Sequence, residues 1–133
     1  MERRVKSVVP KRDKGIRVSL AEEMPDSDAV LVKGSILRFS DSFAKALRLS
    51  EKDSVQTFVL DDGEWGIAVL PETTDNRSGY TPHLSNSGWQ ITCAHQRKRG
   101  LEEGIYLVGS PFMHRHKGDE LDVYPLEWVK KVR

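Results

Sequence analysis

The sequence predicts a mainly-β fold of the α+β kind, with one or two short helices and two related halves around a single small barrel-like core. Three observations predict it. Ile36–Pro71 reads as strand, short helix, tight turn, strand, hairpin turn and strand. The two late strands of that stretch are apolar on both faces, so each side needs a covering layer. After a polar break, residues 88–133 restart a similar pattern.

Residues 1–29 form a basic arm followed by an acidic strip. The arm carries Arg3, Arg4, Lys6, Lys11, Arg12, Lys14 and Arg17 against Glu2 and Asp13, and the strip carries Glu22, Glu23, Asp26 and Asp28. The net charge of +1 therefore conceals two blocks of opposite sign. Val5, Val8-Val9 and the alternation Ile16-x-Val18-x-Leu20 are strand-like. Pro25–Asp28 reads as a turn, and Val30–Val32 with Lys33-Gly34 as a short strand leading into the first unit.

Residues 30–71 hold that unit. Leu37 and Phe39 point the same way in a strand over Ile36–Phe39. Ser40-Asp41 offers capping oxygens to a helix. Phe43, Ala46 and Leu47 then recur at helical spacing, with Lys45 and Arg48 on the opposite face. A helix this short depends on packing. Leu49 begins a turn through Ser50–Asp53, and Val55–Leu60 is the next strand. Asp61-Asp62-Gly63 is hairpin chemistry, and Trp65–Leu70 returns until Pro71 stops it.

Residues 72–87 are a polar linker rich in Gly, Pro, Asn and Ser. Residues 88–133 then read as a degenerate second copy. At a step of 54 positions Gly34 meets Gly88, Leu37 meets Ile91, Leu47 meets Leu101, Phe58 meets Phe112, Val69 meets Val123 and Pro71 meets Pro125. Trp128-Val129 is expected to close the core near the C-terminus.

Phe43-Ala44-x-Ala46-Leu47-x-Leu49, Asp53-x-Val55, the acidic-Gly hairpin and the apolar return strand resemble the swapped-hairpin AbrB/MraZ-type family of β-barrel transcription regulators. The likeness covers residues 36–71, about a quarter of the chain. It implies an AbrB-like fold, interleaved hairpins in a homodimer and DNA binding through basic residues on one face. Carried onto this sequence, those residues are Arg38, Lys45 and Arg48, with Lys33 just before the unit. Two positions depart from the family pattern. Ser40-Asp41 stands where Pro is usual at the helix start, and Lys52-Asp53 where Gly-Asp is usual in the turn, so strain is expected at Lys52.

Composition bounds the rest. At 133 residues, 38% hydrophobic and 31% charged, the chain suits a soluble globular protein of one modest domain. The lone Cys93 rules out an intrachain disulfide and fits a reducing, cytoplasmic setting. No apolar run is long enough to span a bilayer, and the basic N-terminus lacks a signal-peptide core.

The strongest functional lead is cationic. Arg97-Lys98-Arg99 joins Lys33, Arg38, Lys45 and Arg48 as the residues expected to bind double-stranded DNA, because clustered cations release phosphate counterions. Gln96 is a candidate adenine reader, against the ordinary reading of a solvated Gln. Cys93-x-His95 and His114-x-His116 have spacing that could contribute to a zinc site, but they lack a close Cys pair or a helical His-Glu-x-x-His, so no metal or cofactor is expected. Cys93 reads as a small core residue. Trp65, Trp89 and Trp128 read as core, with an aromatic ligand platform as the alternative. There is no phosphate loop, nucleophile elbow or convincing acid pair, so no catalytic residue is expected.

The expected function is thus a cytoplasmic, non-enzymatic, AbrB-like DNA-binding transcriptional regulator that occludes a promoter. The rival reading is a protein–protein interaction or assembly module, such as an accessory protein of a mobile element. The acidic strip favours that rival, since it would repel DNA on a shared face.

Overall fold

The computed structural model describes residues 25–71 and 79–131. The basic arm, the strand readings at 5–9 and 16–20, Glu22, Glu23 and the first part of the linker lie outside the described residues. The elements in chain order are β1 (Ala29–Lys33), β2 (Ile36–Phe39), α1 (Asp41–Leu47), β3 (Val55–Val59), β4 (Trp65–Val69), β5 (His83–Ser85), β6 (Gly88–Thr92), α2 (Ala94–Lys98), β7 (Gly104–Val108), β8 (Phe112–His116) and β9 (Asp119–Lys130).

All strand pairs are antiparallel, and the sheet runs β3-β4-β9-β7-β1-β2-β6-β5, with β8 paired to β9. The path curls on itself. Val55 of β3 and Tyr80, just ahead of β5, exchange both backbone hydrogen bonds at 2.8 and 2.7 Å. Among the described residues the result is a half-barrel of antiparallel strands with two short helices. The linker reading needs correction within its second half, because His83–Ser85 pairs with β6 as a strand. Polar composition did not prevent this, since backbone pairing needs no apolar side chain.

Val30, Val32, Leu37, Phe39, Phe43, Ile67, Ile91 and Leu126 form the main core. The other face of the β3–β4 hairpin is covered from within the chain. Leu121 and Val123 of β9 pack on Ala68 and Leu70, with Phe58 and Leu60 alongside. This is the covering layer that the two-sided apolar strands demand. Gly66 lets it approach, since a Cβ there would lie 2.8 Å from Val123 Cγ1.

Ser40 caps α1 as its sequence suggests. Its Oγ accepts from the Phe43 N–H at 3.2 Å and from the Ala29 N–H at 3.0 Å, tying the helix to β1. The buried residues of α1 are Phe43 and Ala44, whereas Ala46 is exposed. The chain leaves α1 through a left-handed Arg48 (φ 55°) and returns Leu49 to the core, which turns the buried arc toward Ala44. The strain expected at Lys52 therefore falls at Arg48. Lys52 is not among the positive-φ residues, and Asp53 holds its turn by accepting from the Ser50 N–H at 2.8 Å.

Strand, strand, helix and strands occur twice in succession, as β1-β2-α1-β3-β4 and as β5-β6-α2-β7-β8-β9. The hairpin turns Gly34-Ser35 and Asn86-Ser87 correspond at a step of 52, as do Leu49 and Leu101 after the helices, rather than at 54. Trp128 and Val129 do not close the core. Both are about half exposed near the end of β9, and Pro125 lies within that strand instead of ending it.

Candidate nucleic-acid interface

The β1–β2 turn and α2 are joined by a short polar network. The Gly34 N–H donates to Glu103 Oε2 at 2.7 Å, and the Gly34 carbonyl accepts from Arg97 Nε at 3.1 Å. Arg97 Nη1 also donates to the Leu101 carbonyl at 2.7 Å, and Nη2 lies 3.8 Å from Glu103. The Arg97 guanidinium therefore holds one helix end against a turn, with its charge partly offset by Glu103. Lys98 and Arg99 follow it on the exposed side, and half-buried Lys33 ends β1 beside the same turn. A basic residue in the last turn of α2 also suits the negative end of the helix.

Arg38 is placed otherwise than its sequence reading suggests. It lies in the middle of β2 opposite Leu31 and Gln90, and only 7% of it is exposed. One guanidinium nitrogen, Nη1, donates to Ser85 Oγ at 3.0 Å. Its Nε is buried without a hydrogen-bond partner. Burial pushes its pKa down. Period-2 alternation turns Arg38 away from the Leu37–Phe39 core, but alternation cannot reveal that the outer face is covered as well.

Lys45 and Arg48 are exposed on α1 and at its end. The start of α1 lies against the other hairpin turn, where a Cβ on Gly88 would come 3.7 Å from Asp41 Oδ1. The seven cations thus divide. Lys33 ends β1 beside the turn that Arg97 contacts, and Lys98 and Arg99 are exposed at the end of α2. Lys45 and Arg48 sit on and just after α1, and Arg38 is buried in β2.

Gln96 is not an exposed reader of bases. It is 4% exposed, and its Nε2 donates to Thr57 Oγ1 at 3.0 Å. His114 and His116 share one face of β8, each ring edge-on to Phe58 at a centroid distance of 5.5 Å. Cys93 is buried where β6 meets α2, and burial pushes its thiol up to about 11, an unreactive state. Among the described residues no group of three His, Cys, Asp or Glu side chains could hold a metal ion, and no helix is long and apolar enough to cross a membrane. Trp65 and Trp89 are half-buried against the core.

The pinning role of Arg97 was missed in the sequence. The only signal was an Arg four positions before Leu101, and its two carbonyl partners could not be read from that spacing. Comparison with protein-family models, with curated proteins and with solved structures gives no match to this chain.

Proposed function

We propose that this chain is a non-enzymatic, AbrB-like regulator that binds double-stranded DNA through the cations around the β1–β2 turn. One observation carries the reading: Arg97 anchors α2 to Gly34, the residue after Lys33, and to Leu101, while its sequence neighbours Lys98 and Arg99 are exposed. Fixed cations lose less freedom on meeting phosphates than cations on a mobile loop. Lys45 and Arg48 form a second, separate group. A homodimer would present two copies of each group to one duplex. Binding would be electrostatic capture followed by fitting to a groove, with repression by occlusion and no cofactor. The two successive β-rich runs support the view that this chain carries both halves of the AbrB-like arrangement. A cytoplasmic setting suits the lone reduced Cys93.

A salt titration tests this. Affinity for a mixed-sequence duplex should fall steeply as salt rises from about 50 to 200 mM, with a log–log slope near −0.9 per phosphate neutralised. The double variant Lys98→Glu/Arg99→Glu should flatten that slope by about 2 phosphate equivalents. Absence of duplex affinity even at low salt would favour the assembly-module reading. That reading has its own support in exposed Val59, Phe112 and Met113 on β3 and β8.

A further inference from the structure

At the end of the sheet where β4, β9 and β7 lie side by side, the structure holds a cavity of about 280 Å³. Its walls include Trp65, Trp128 and Tyr106, its apolar floor is Leu126, and Glu64 and Glu102 are the charged residues lining it. Strand register brings the first four together. Trp65 is opposite Leu126, Tyr106 is opposite Trp128, and Leu126 and Trp128 are two apart on β9, so all four share one face.

The rings are held from behind. Trp128 Nε1 donates to the Glu103 carbonyl at 3.1 Å, and the Tyr106 hydroxyl donates to the Glu102 carbonyl at 2.6 Å. Gly104 makes room for the indole, because a Cβ there would meet Trp128 Nε1 at 2.4 Å. None of the ring pairs among the described residues joins two of these three aromatics. Trp128 is 46% exposed and Trp65 half-buried, so they supply the accessible aromatic surface, while Tyr106, 5% exposed, is a core residue behind them. The two ion pairs recorded among the described residues, Arg97–Glu103 and Arg115–Glu120, involve neither Glu64 nor Glu102. Among the described residues no Lys, Arg or His lines the cavity.

Electron-rich ring faces attract a cation, and a desolvated organic cation gains most from them. Two exposed carboxylates at the mouth add long-range attraction and repel anions. A metal ion or a primary ammonium would lose too much hydration among the rings, whereas a methylated ammonium is weakly hydrated and fills apolar space. We propose that this cavity binds a methylated organic ammonium, either as a free trimethylammonium compound or as a trimethylated lysine side chain. The site is separate from the cations at the β1–β2 turn and does not rest on the DNA-binding reading.

The test uses the indole N–H signals of the full chain in two-dimensional nitrogen–proton NMR, assigned with single Trp→Phe variants. Titrating choline, or a short peptide carrying trimethyllysine, should shift the Trp65 and Trp128 signals saturably and leave Trp89 in place. The neutral isostere 3,3-dimethylbutan-1-ol should bind roughly tenfold more weakly, as expected when cation–π attraction and not shape decides. Glu64→Gln/Glu102→Gln changes exposed residues and preserves the fold, and should weaken choline binding about threefold to tenfold. Tighter binding of the peptide than of choline identifies a protein-borne ligand, and the reverse identifies a free metabolite; both support the site. Equal binding of the neutral isostere, a response to a neutral sugar in place of choline, or unshifted Trp65 and Trp128 signals at saturating choline would each overturn it.

Discussion

Arg48 and Gly100 occupy the same place in the two halves of the sheet. Each follows a short helix with positive φ, 55° and 109°, and each precedes a buried leucine whose N–H reaches back five residues, Leu49 to Ala44 and Leu101 to Gln96, at 3.1 and 3.0 Å. Glycine adopts that conformation without strain and arginine does not. Arg48→Gly should therefore stabilise the protein by about 0.5–1 kcal/mol, while Gly100→Ala should destabilise it by about 1 kcal/mol. Urea midpoints at unchanged m-value check both.

Arg97 donates to two backbone carbonyls, Gly34 in an exposed turn and part-buried Leu101, so its loss removes both bonds, and water replaces the donor more readily at Gly34. Arg97→Ala should cost about 1–3 kcal/mol. Arg97→Lys should recover little, because one ammonium cannot span Gly34 and Leu101 as a planar guanidinium does. Chemical denaturation measures the cost. The same variants should also weaken duplex binding under the proposed function, by loosening the turn that presents Lys33.

Gly104 has φ 150°, and a Cβ there would lie 2.4 Å from the Lys130 carbonyl oxygen. The neighbour is backbone and cannot swing aside. Gly104→Ala should destabilise by about 2 kcal/mol or more, and should displace the Trp128 indole. A lower thermal midpoint with a shifted tryptophan emission maximum is the expected result.

Alkaline pH should weaken the fold. Burial pushes the Cys93 thiol from 9.0 up to about 11 and the Tyr106 hydroxyl from 10.0 up to about 12. Each group holds its proton more tightly when folded, so the stabilisation is complete below the unfolded pKa and is lost as pH rises through the folded one. Stability should decline from about pH 9 upward. Cys93→Ala should remove the first part of that decline and leave the part due to Tyr106. Denaturation midpoints across pH 8–11 with and without the substitution, about one pH unit apart, check the sign.

Local chemistry made much of the fold legible. Ser40 announces the start of α1, Asp61-Asp62-Gly63 the β3–β4 turn, and the two-sided apolar strands 55–60 and 65–70 the need for a second layer. Each of these rests on neighbours in sequence. What covers the second face is Leu121 and Val123, more than fifty residues away, and no periodicity encodes that pairing. The same limit explains the candidate site. Lys98 and Arg99 are exposed as basic side chains in a short polar run should be. Arg38 and Gln96, polar residues that sequence places outside, are buried, each with one hydrogen bond to a distant side chain, Ser85 and Thr57, and one polar atom left unpartnered. The aromatic cavity was legible only as three tryptophans. Register alone selects Trp65 and Trp128 and recruits Tyr106.

β9 pairs with β4, β7 and β8, so a strand from late in the chain lies in the interior of the sheet. During synthesis β4 and β7 must wait with open edges until β9 has left the ribosome. A nascent chain stalled before residue 119 would present those edges to chaperones or to other chains. Productive assembly of this protein is therefore an event that follows translation of β9, and codon-level pausing just upstream of it would extend the interval of greatest aggregation hazard.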